Sequence, residues 1–322
     1  MIQNKEKNFV SCVVYLHNES DTVKDFLEKI CQVMRENFEK YEVVCVNDGC
    51  VDDTVEQIKA FLAESEQKPV VSLVNLSYYQ GVESAMNAGC DLAVGDFLLE
   101  FDSCRLDFEI SLIMAAYRRA LQGYDVVAAA PRYGISFTSR LFYLVYNRSS
   151  KYQAKIRQER FRVVSRRAAN RVNQMNTYVP YRKVMYMNCG LKTDTIVYDN
   201  TIIYDNRREA AGRGRNREER GNRSMLATDT IIIFTNVLEK LSLAVSAILL
   251  GALIVLFGYL IWSVFSAERP VEGWLSIMAL MSFGFFMISV MLTLILKYLS
   301  VLLNMGFKKQ RYVIEGVEKL TQ

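Results

Sequence analysis

The sequence predicts an α/β fold, a mostly parallel, doubly wound sheet followed by a hydrophobic hairpin. Three observations predict it. From Phe9 to Ala130, short Val-rich apolar runs alternate with amphipathic stretches of helical period. Polar or acidic groups stand at the ends of three of those runs. Further on, Leu241 to Ala267 and Gly273 to Leu296 contain no charged residue.

Phe9 to Leu16 reads as a first buried strand. HNES follows, then a helix from about Asp21 to Phe38 with apolar residues at Val23, Phe26, Leu27, Ile30, Val33 and Met34. Tyr41 to Val46 is a second strand, stopped by Asn47, Asp48 and Gly49. Asp52 or Asp53 is a natural N-cap for a helix over Val55 to Ala63. Pro69 to Leu76 is a third strand and Gln80 to Val94 a helix. In that helix Gly81, Ala85 and Gly89 lie four apart, leaving a flat face suited to a sheet or to backbone approach by a ligand. Asp96 to Phe101 is a fourth strand ending in Asp102. Phe108 to Leu121 is a helix and Tyr124 to Ala130 a fifth strand.

Open α/β sheets bind ligands beyond the carboxyl ends of their strands. His17-Asn18-Glu19, Asn47-Asp48 and Asp102 should therefore converge on one edge, where a carboxylate such as Asp48 can accept from ligand hydroxyls or ring N–H groups. A plain strand–turn–helix corner with a capping Asp would account for Asp48 equally well. No GxGxxG follows the first strand and no GxxxxGK[ST] occurs, so neither a dinucleotide fold nor a P-loop is supported.

The totals exclude other classes. A net charge of +4, with both signs abundant, does not indicate nucleic acid. Seven cysteines without a CxxC read as reduced, mostly buried thiols. His17 is the one histidine, which argues against zinc. MIQNKEKNFV has no apolar core, so a signal peptide is not expected.

Taken together, HNES, NDGCVDD, the Gly81–Ala85–Gly89 helix and VGDFLLEFDSC resemble the nucleotide-sugar-binding half of a family 2 glycosyltransferase. Such proteins read YNEE, DDGSxD, GxxxAxxxG, then GD followed by DxD. The resemblance implies a Rossmann-like GT-A fold with a nucleotide-sugar donor. It places Glu19, Asp48, Gly81 and Asp96 on the nucleotide-sugar. It gives Asp102 a divalent metal, Mg2+ or Mn2+, on the donor diphosphate. RFRVVSRRA, Arg160 to Ala168, resembles the "dFRLxxR" segment of the polyprenyl-phosphate branch. Arg162 and Arg166 stand in the matching places, able to clamp phosphate oxygens, although a solvated basic helix would also carry them. RGNRS, near Ser224, loosely resembles that branch's RxxGxSK segment.

This sequence departs from the pattern at several places. His17 replaces the Tyr of YNEE, Asn47 the first Asp of DDG, and Cys50 its Ser. Tyr79 stands where the family has Asn, and Arg160 where it has an acidic residue. DxD becomes Asp102-Ser103-Cys104, and cysteine is a poor ligand for magnesium. QxxRW is absent, which argues against a processive polysaccharide synthase.

The middle section, Arg132 to Thr201, is basic and aromatic. Arg207 to Arg223 holds seven arginines against three glutamates, suited to a solvated loop or to anionic lipid headgroups. Thr230 to Leu238 reads as an interfacial helix. At about 1.5 Å per residue, 241–267 and 273–296 can each cross a bilayer core of roughly 30 Å. Trp262 and Trp274 flank the short link, and Lys297, Lys308, Lys309 and Arg311 follow the second stretch. The positive-inside rule then places domain and tail in the cytoplasm. The expected organisation is a GT-A-like domain over 1–205, a basic juxtamembrane segment over 206–240, two transmembrane helices within 241–304, and a tail over 305–322.

The resemblance thus implies a membrane-anchored, inverting glycosyltransferase in a bacterial plasma membrane, serving cell-envelope polysaccharide. It would move one sugar from a nucleotide-sugar to a polyprenyl phosphate on the cytoplasmic face. A homo-oligomer is compatible with this, and nucleic acid is not a partner. Two alternatives stand beside it: the same fold as a catalytically weakened membrane scaffold, and a transferase with another lipid acceptor such as a diacylglycerol.

Overall fold

The computed structural model describes residues 5–65, 69–132, 140, 143–144, 146–148, 156–175, 181–199, 274–307 and 312–321. The chain divides into two units. The first holds 1–147, 152–226 and 309–322; the second holds 148–151 and 227–308.

In the first unit the expected alternation is present. β1 (Val10–Leu16), α1 (Val23–Asn37), β2 (Tyr41–Asn47), α2 (Thr54–Glu64), β3 (Val71–Leu76), α3 (Val82–Leu92), β4 (Phe97–Phe101), α4 (Ser111–Leu121) and β5 (Val126–Pro131) follow in order. Then come β6 (Phe161–Ser165), α5 (Arg166–Gln174), α6 (Arg182–Asn188), β7 (Thr193–Tyr198) and, after the second unit, β8 (Ile314–Lys319). The described strands form one sheet in the order β7-β5-β6-β4-β1-β2-β3-β8. β4, β1, β2 and β3 are mutually parallel, as helical crossovers require. β6 runs antiparallel between β4 and β5, and β8 antiparallel along β3.

One face carries the main apolar core, in which α1 residues Phe26, Leu27, Ile30 and Met34 meet Cys12, Val14, Val43 and Cys45 of the sheet. The other face is covered over β1 and β2 by α3. Gly89 makes that approach possible. A Cβ there would stand 2.5 Å from Val13 Cγ1 and 2.6 Å from Val46 Cγ2. The flat helix face read from the sequence therefore packs on the sheet.

Two expectations change. Residues 305–322 do not form a simple tail, because 314–319 return as an edge strand of the sheet. Nor is the transmembrane hairpin carried by the structure. Its first arm, 241–267, lies outside the described residues, as do 207–223 and 230–238. Among the described residues no helix is long and apolar enough to cross a membrane. The second arm falls within α7 (Trp274–Phe307), a helix of 34 residues in the second unit.

Candidate active site at the carboxyl edge of the sheet

The carboxyl ends of β1, β2 and β4 bring together five of the seven expected site residues: Glu19, Asp48, Gly81, Asp102 and Arg162. Asp48 sits just past β2, fully buried. Its Oδ1 accepts from the Gln80 N–H at 2.6 Å. Its Oδ2 accepts from the Gly81 N–H at 2.9 Å and from the Tyr15 hydroxyl at 3.1 Å. Burial pushes its carboxyl above the ordinary value, and these donors pull part of the way back. Asp48 therefore plugs the N-terminus of α3 and fixes Gly81, whose φ of 87° is glycine's own. His17 Nδ1–H donates to the Asp48 carbonyl at 2.8 Å, and its ring lies 4.5 Å from that of Tyr79. Glu19 opens the turn into α1. Its amide donates to Thr54 Oγ1 at 2.8 Å, and its carboxylate accepts from Thr22 Oγ1 at 2.7 Å.

The departures from the family pattern are satisfied locally. Asn47 Nδ2 donates to Asn75 Oδ1 at 2.9 Å while its Oδ1 accepts from the Cys50 N–H at 2.9 Å, a double role an aspartate could not fill. Cys50 Sγ accepts from the Asn18 N–H at 3.2 Å. Asn18 itself has φ 55°, a conformation asparagine tolerates.

Asp102 ends β4 with its side chain 35% exposed, and Arg162 Nη2 donates to its Oδ2 at 2.6 Å. Arg162 faces Glu100 across the β4–β6 ladder, so the pair is set by register. Behind it lies a buried ion network. Glu100 accepts from Arg162 at 3.3 Å, from the Tyr186 hydroxyl at 2.6 Å, from Cys90 Sγ at 3.2 Å and from Arg182. Glu159 stands 3.2 Å from Arg162 Nε and 3.3 Å from Lys183 Nζ. Glu83 accepts from the Arg182 N–H at 2.9 Å; burial pushes its carboxyl up, Arg182 opposes the shift and the negative charge of Asp102 adds to it. Burial disfavours the charge of Arg162, but Asp102, Glu159 and Glu100 more than offset it and hold the guanidinium firmly charged.

The remaining expected groups lie elsewhere. Asp96, with Arg166 beside it, precedes the amino end of β4, six residues from Asp102, which is roughly 20 Å at strand spacing. Asp96 Oδ2 accepts from the Phe9 N–H at 2.9 Å. Arg166 donates to the carbonyls of Gly95 at 2.9 Å and Ala93 at 2.7 Å. Those contacts clamp the α3–β4 connection, and they leave neither residue at the edge that holds Asp48 and Asp102.

A protein-built metal centre does not fit these residues. Cys104, at the second DxD position, is buried in the apolar core, and burial pushes its thiol well above the ordinary range, so it stays protonated. Of the two DxD positions Asp102 alone then offers a carboxylate, paired with Arg162, so the other oxygen ligands of a near-octahedral magnesium or manganese would have to come from the donor diphosphate and water. No group of three potential ligands occurs among the described residues.

Glu100, Arg182 and Lys183 were not singled out from the sequence. Glu100 was visible as a charge inside the apolar run FLLEF, and a buried carboxylate demands a partner. Arg182 and Lys183 carried no motif.

An α/β domain with acidic and basic groups gathered at the carboxyl edge of its sheet presents them where open sheets of this kind bind ligands. Residues 11–172, half of the chain, match the model of glycosyl transferase family 2, and the chain belongs to that family. It is 27% identical over 196 residues to an uncharacterised glycosyltransferase of Synechocystis, covering 59% of this chain and 60% of that protein. It is 30% identical over 131 residues to the undecaprenyl-phosphate 4-deoxy-4-formamido-L-arabinose transferase of Aeromonas hydrophila, covering 41% and 39%. The chain thus spans about 60% or less of the length of these relatives. A mannosyltransferase from Pyrobaculum calidifontis, solved with GDP-Man and Mn2+, aligns with 95% of this chain and 89% of its own at 14% identity and TM-score 0.48.

Proposed function

We propose that the protein transfers one sugar from a nucleotide-sugar to a polyprenyl phosphate at a membrane surface. The observation that carries this reading is the convergence, in a family 2 domain, of Glu19, Asp48 and Gly81 with the Asp102–Arg162 pair at the carboxyl edge of the sheet. The first three residues shape the nucleotide side and the pair faces the donor diphosphate. An oxygen of the acceptor phosphate forms the new bond to the anomeric carbon. The bond from that carbon to the diphosphate oxygen breaks, with inversion. The acceptor phosphate is ionised at neutral pH, so no strong general base is needed, and catalysis is positioning plus stabilisation of the leaving diphosphate. A divalent cation, where used, supplies charge neutralisation at the diphosphate, and no step here depends on one.

The lipid acceptor is supported by the undecaprenyl-phosphate transferase among the relatives. Membrane anchoring is supported by the charge-free stretches 241–267 and 273–296. It is also supported by α7, where Ile288, Leu292, Ile295 and Leu299 are exposed. On this reading the first unit faces the cytoplasm.

The test is transfer from a panel of radiolabelled nucleotide-sugars to undecaprenyl phosphate by the full chain in detergent. A labelled lipid names the donor and establishes the reading. Nucleotide binding without a labelled lipid points to another acceptor, such as a diacylglycerol. Absence of both favours a non-catalytic scaffold, the second reading, which rests on the buried, protonated Cys104 and on Asp102 being tied to Arg162.

A further inference from the structure

The segment Tyr79–Gly81 is held from two sides. On one side is Asp48, through the amides of Gln80 and Gly81, with Gly49 packed so closely that a Cβ there would meet the Tyr79 nitrogen at 3.0 Å. On the other side is the chain entering β8. Gln80 Nε2 donates to the Val313 carbonyl at 2.7 Å and its Oε1 accepts from the Val313 N–H at 2.9 Å, so one amide side chain satisfies both backbone groups of one residue. The Val313 carbonyl also accepts from the Ser77 N–H at 3.3 Å. The Tyr312 hydroxyl donates to Asp91 of α3 at 2.7 Å. Between β3 and β8 the register shifts at Asn75/Leu76, leaving Glu315 as the extra residue, and such bulges re-aim a strand beside functional sites.

We infer that Val313 and Gln80 form a positioning link, through which the strand Ile314–Lys319 holds the Asp48 corner in the shape that receives the donor nucleotide. Gln80 is the joint, its backbone on Asp48 and its side chain on Val313. The functional half of this inference rests on the nucleotide-sugar reading; the mechanical half does not.

Both halves are tested on the full-length protein in detergent with Gln80→Ala, Val313→Pro and, as a control just past the far end of β8, Thr321→Ala. Thr321 Oγ1 accepts from the Val71 N–H at 2.9 Å, at the start of β3 and away from Gln80. Amide hydrogen exchange of peptides spanning 78–86 should speed about tenfold or more in the first two variants and stay unchanged in the control. Calorimetric titration with UDP and GDP should show the nucleotide that wild type binds weakened about tenfold in the first two variants only. Their turnover at saturating donor should stay near wild type, a split that general misfolding does not give. Unchanged exchange at 78–86 overturns the link, as does equal loss in Thr321→Ala. Faster exchange with nucleotide affinity intact overturns its role in donor binding. If wild type binds neither nucleotide, the donor reading fails, and with it the functional half, while the exchange result still decides the mechanical one.

Discussion

Glu100 holds two guanidinium groups, a phenol and a thiol on one buried carboxylate, so its removal leaves Arg162 and Arg182 short of a counter-charge. Glu100→Ala should cost about 3–5 kcal/mol in urea unfolding. Asp102→Asn sits at the partly exposed end of the same network and should cost within about 1 kcal/mol, yet abolish sugar transfer. On the proposed reading, the contrast between the two variants separates what holds the site from what faces the substrate. Asp125 supplies a pH test. Burial disfavours its charge, but hydrogen bonds from Arg167 and Ser165 outweigh that and hold its carboxyl below the usual range. A carboxyl lowered in the folded state adds stability above the unfolded value of about 3.9, and that stability is withdrawn as pH falls through the folded value. Asp125→Asn should therefore melt below wild type at pH 7, and the gap should close on acidification below about pH 4.

Among the elements, the parallel core of the sheet was legible because Val-rich runs and helical periodicity repeat without interruption from Phe9 to Ala130. Gly89 was legible as a flat spot, and its closeness to Val13 and Val46 turns it into a prediction. Gly89→Ala should destabilise by about 1–3 kcal/mol through overpacking, read as a lower urea midpoint at unchanged slope. Asp96 and Arg166 illustrate where motif spacing ran out. The strand reading Asp96 to Phe101 already set Asp96 at the amino end of β4, opposite Asp102, while the resemblance assigned it to the donor; Arg166 follows the end of β6, which runs antiparallel and so brings it to that same amino end. The ion network was illegible for a related reason. Glu100 and Arg182 meet at 82 positions' separation, on a strand and a helix with no shared pattern. β8 escaped notice because IEGVEK is a short, half-charged edge strand, whose solvated side chains carry no apolar signature.

At the scale of the whole molecule, the exposed apolar residues of α7 bear on where the protein resides. The full chain should sediment with membranes, resist extraction by high salt and carbonate, and come off in mild detergent. Recovery in the soluble fraction would remove the membrane part of the proposal. The pairing of β8 with β3 has a further consequence for synthesis. Val71 and Thr321 bond across 250 positions of chain, so the outer edge of β3 can be covered only after all of the intervening chain has left the ribosome. At about 5–20 residues per second, that edge waits ten seconds or more with its N–H and C=O groups unpaired. While the apolar stretches are being made, the nascent protein therefore carries an open β-edge, the kind of template on which neighbouring chains aggregate.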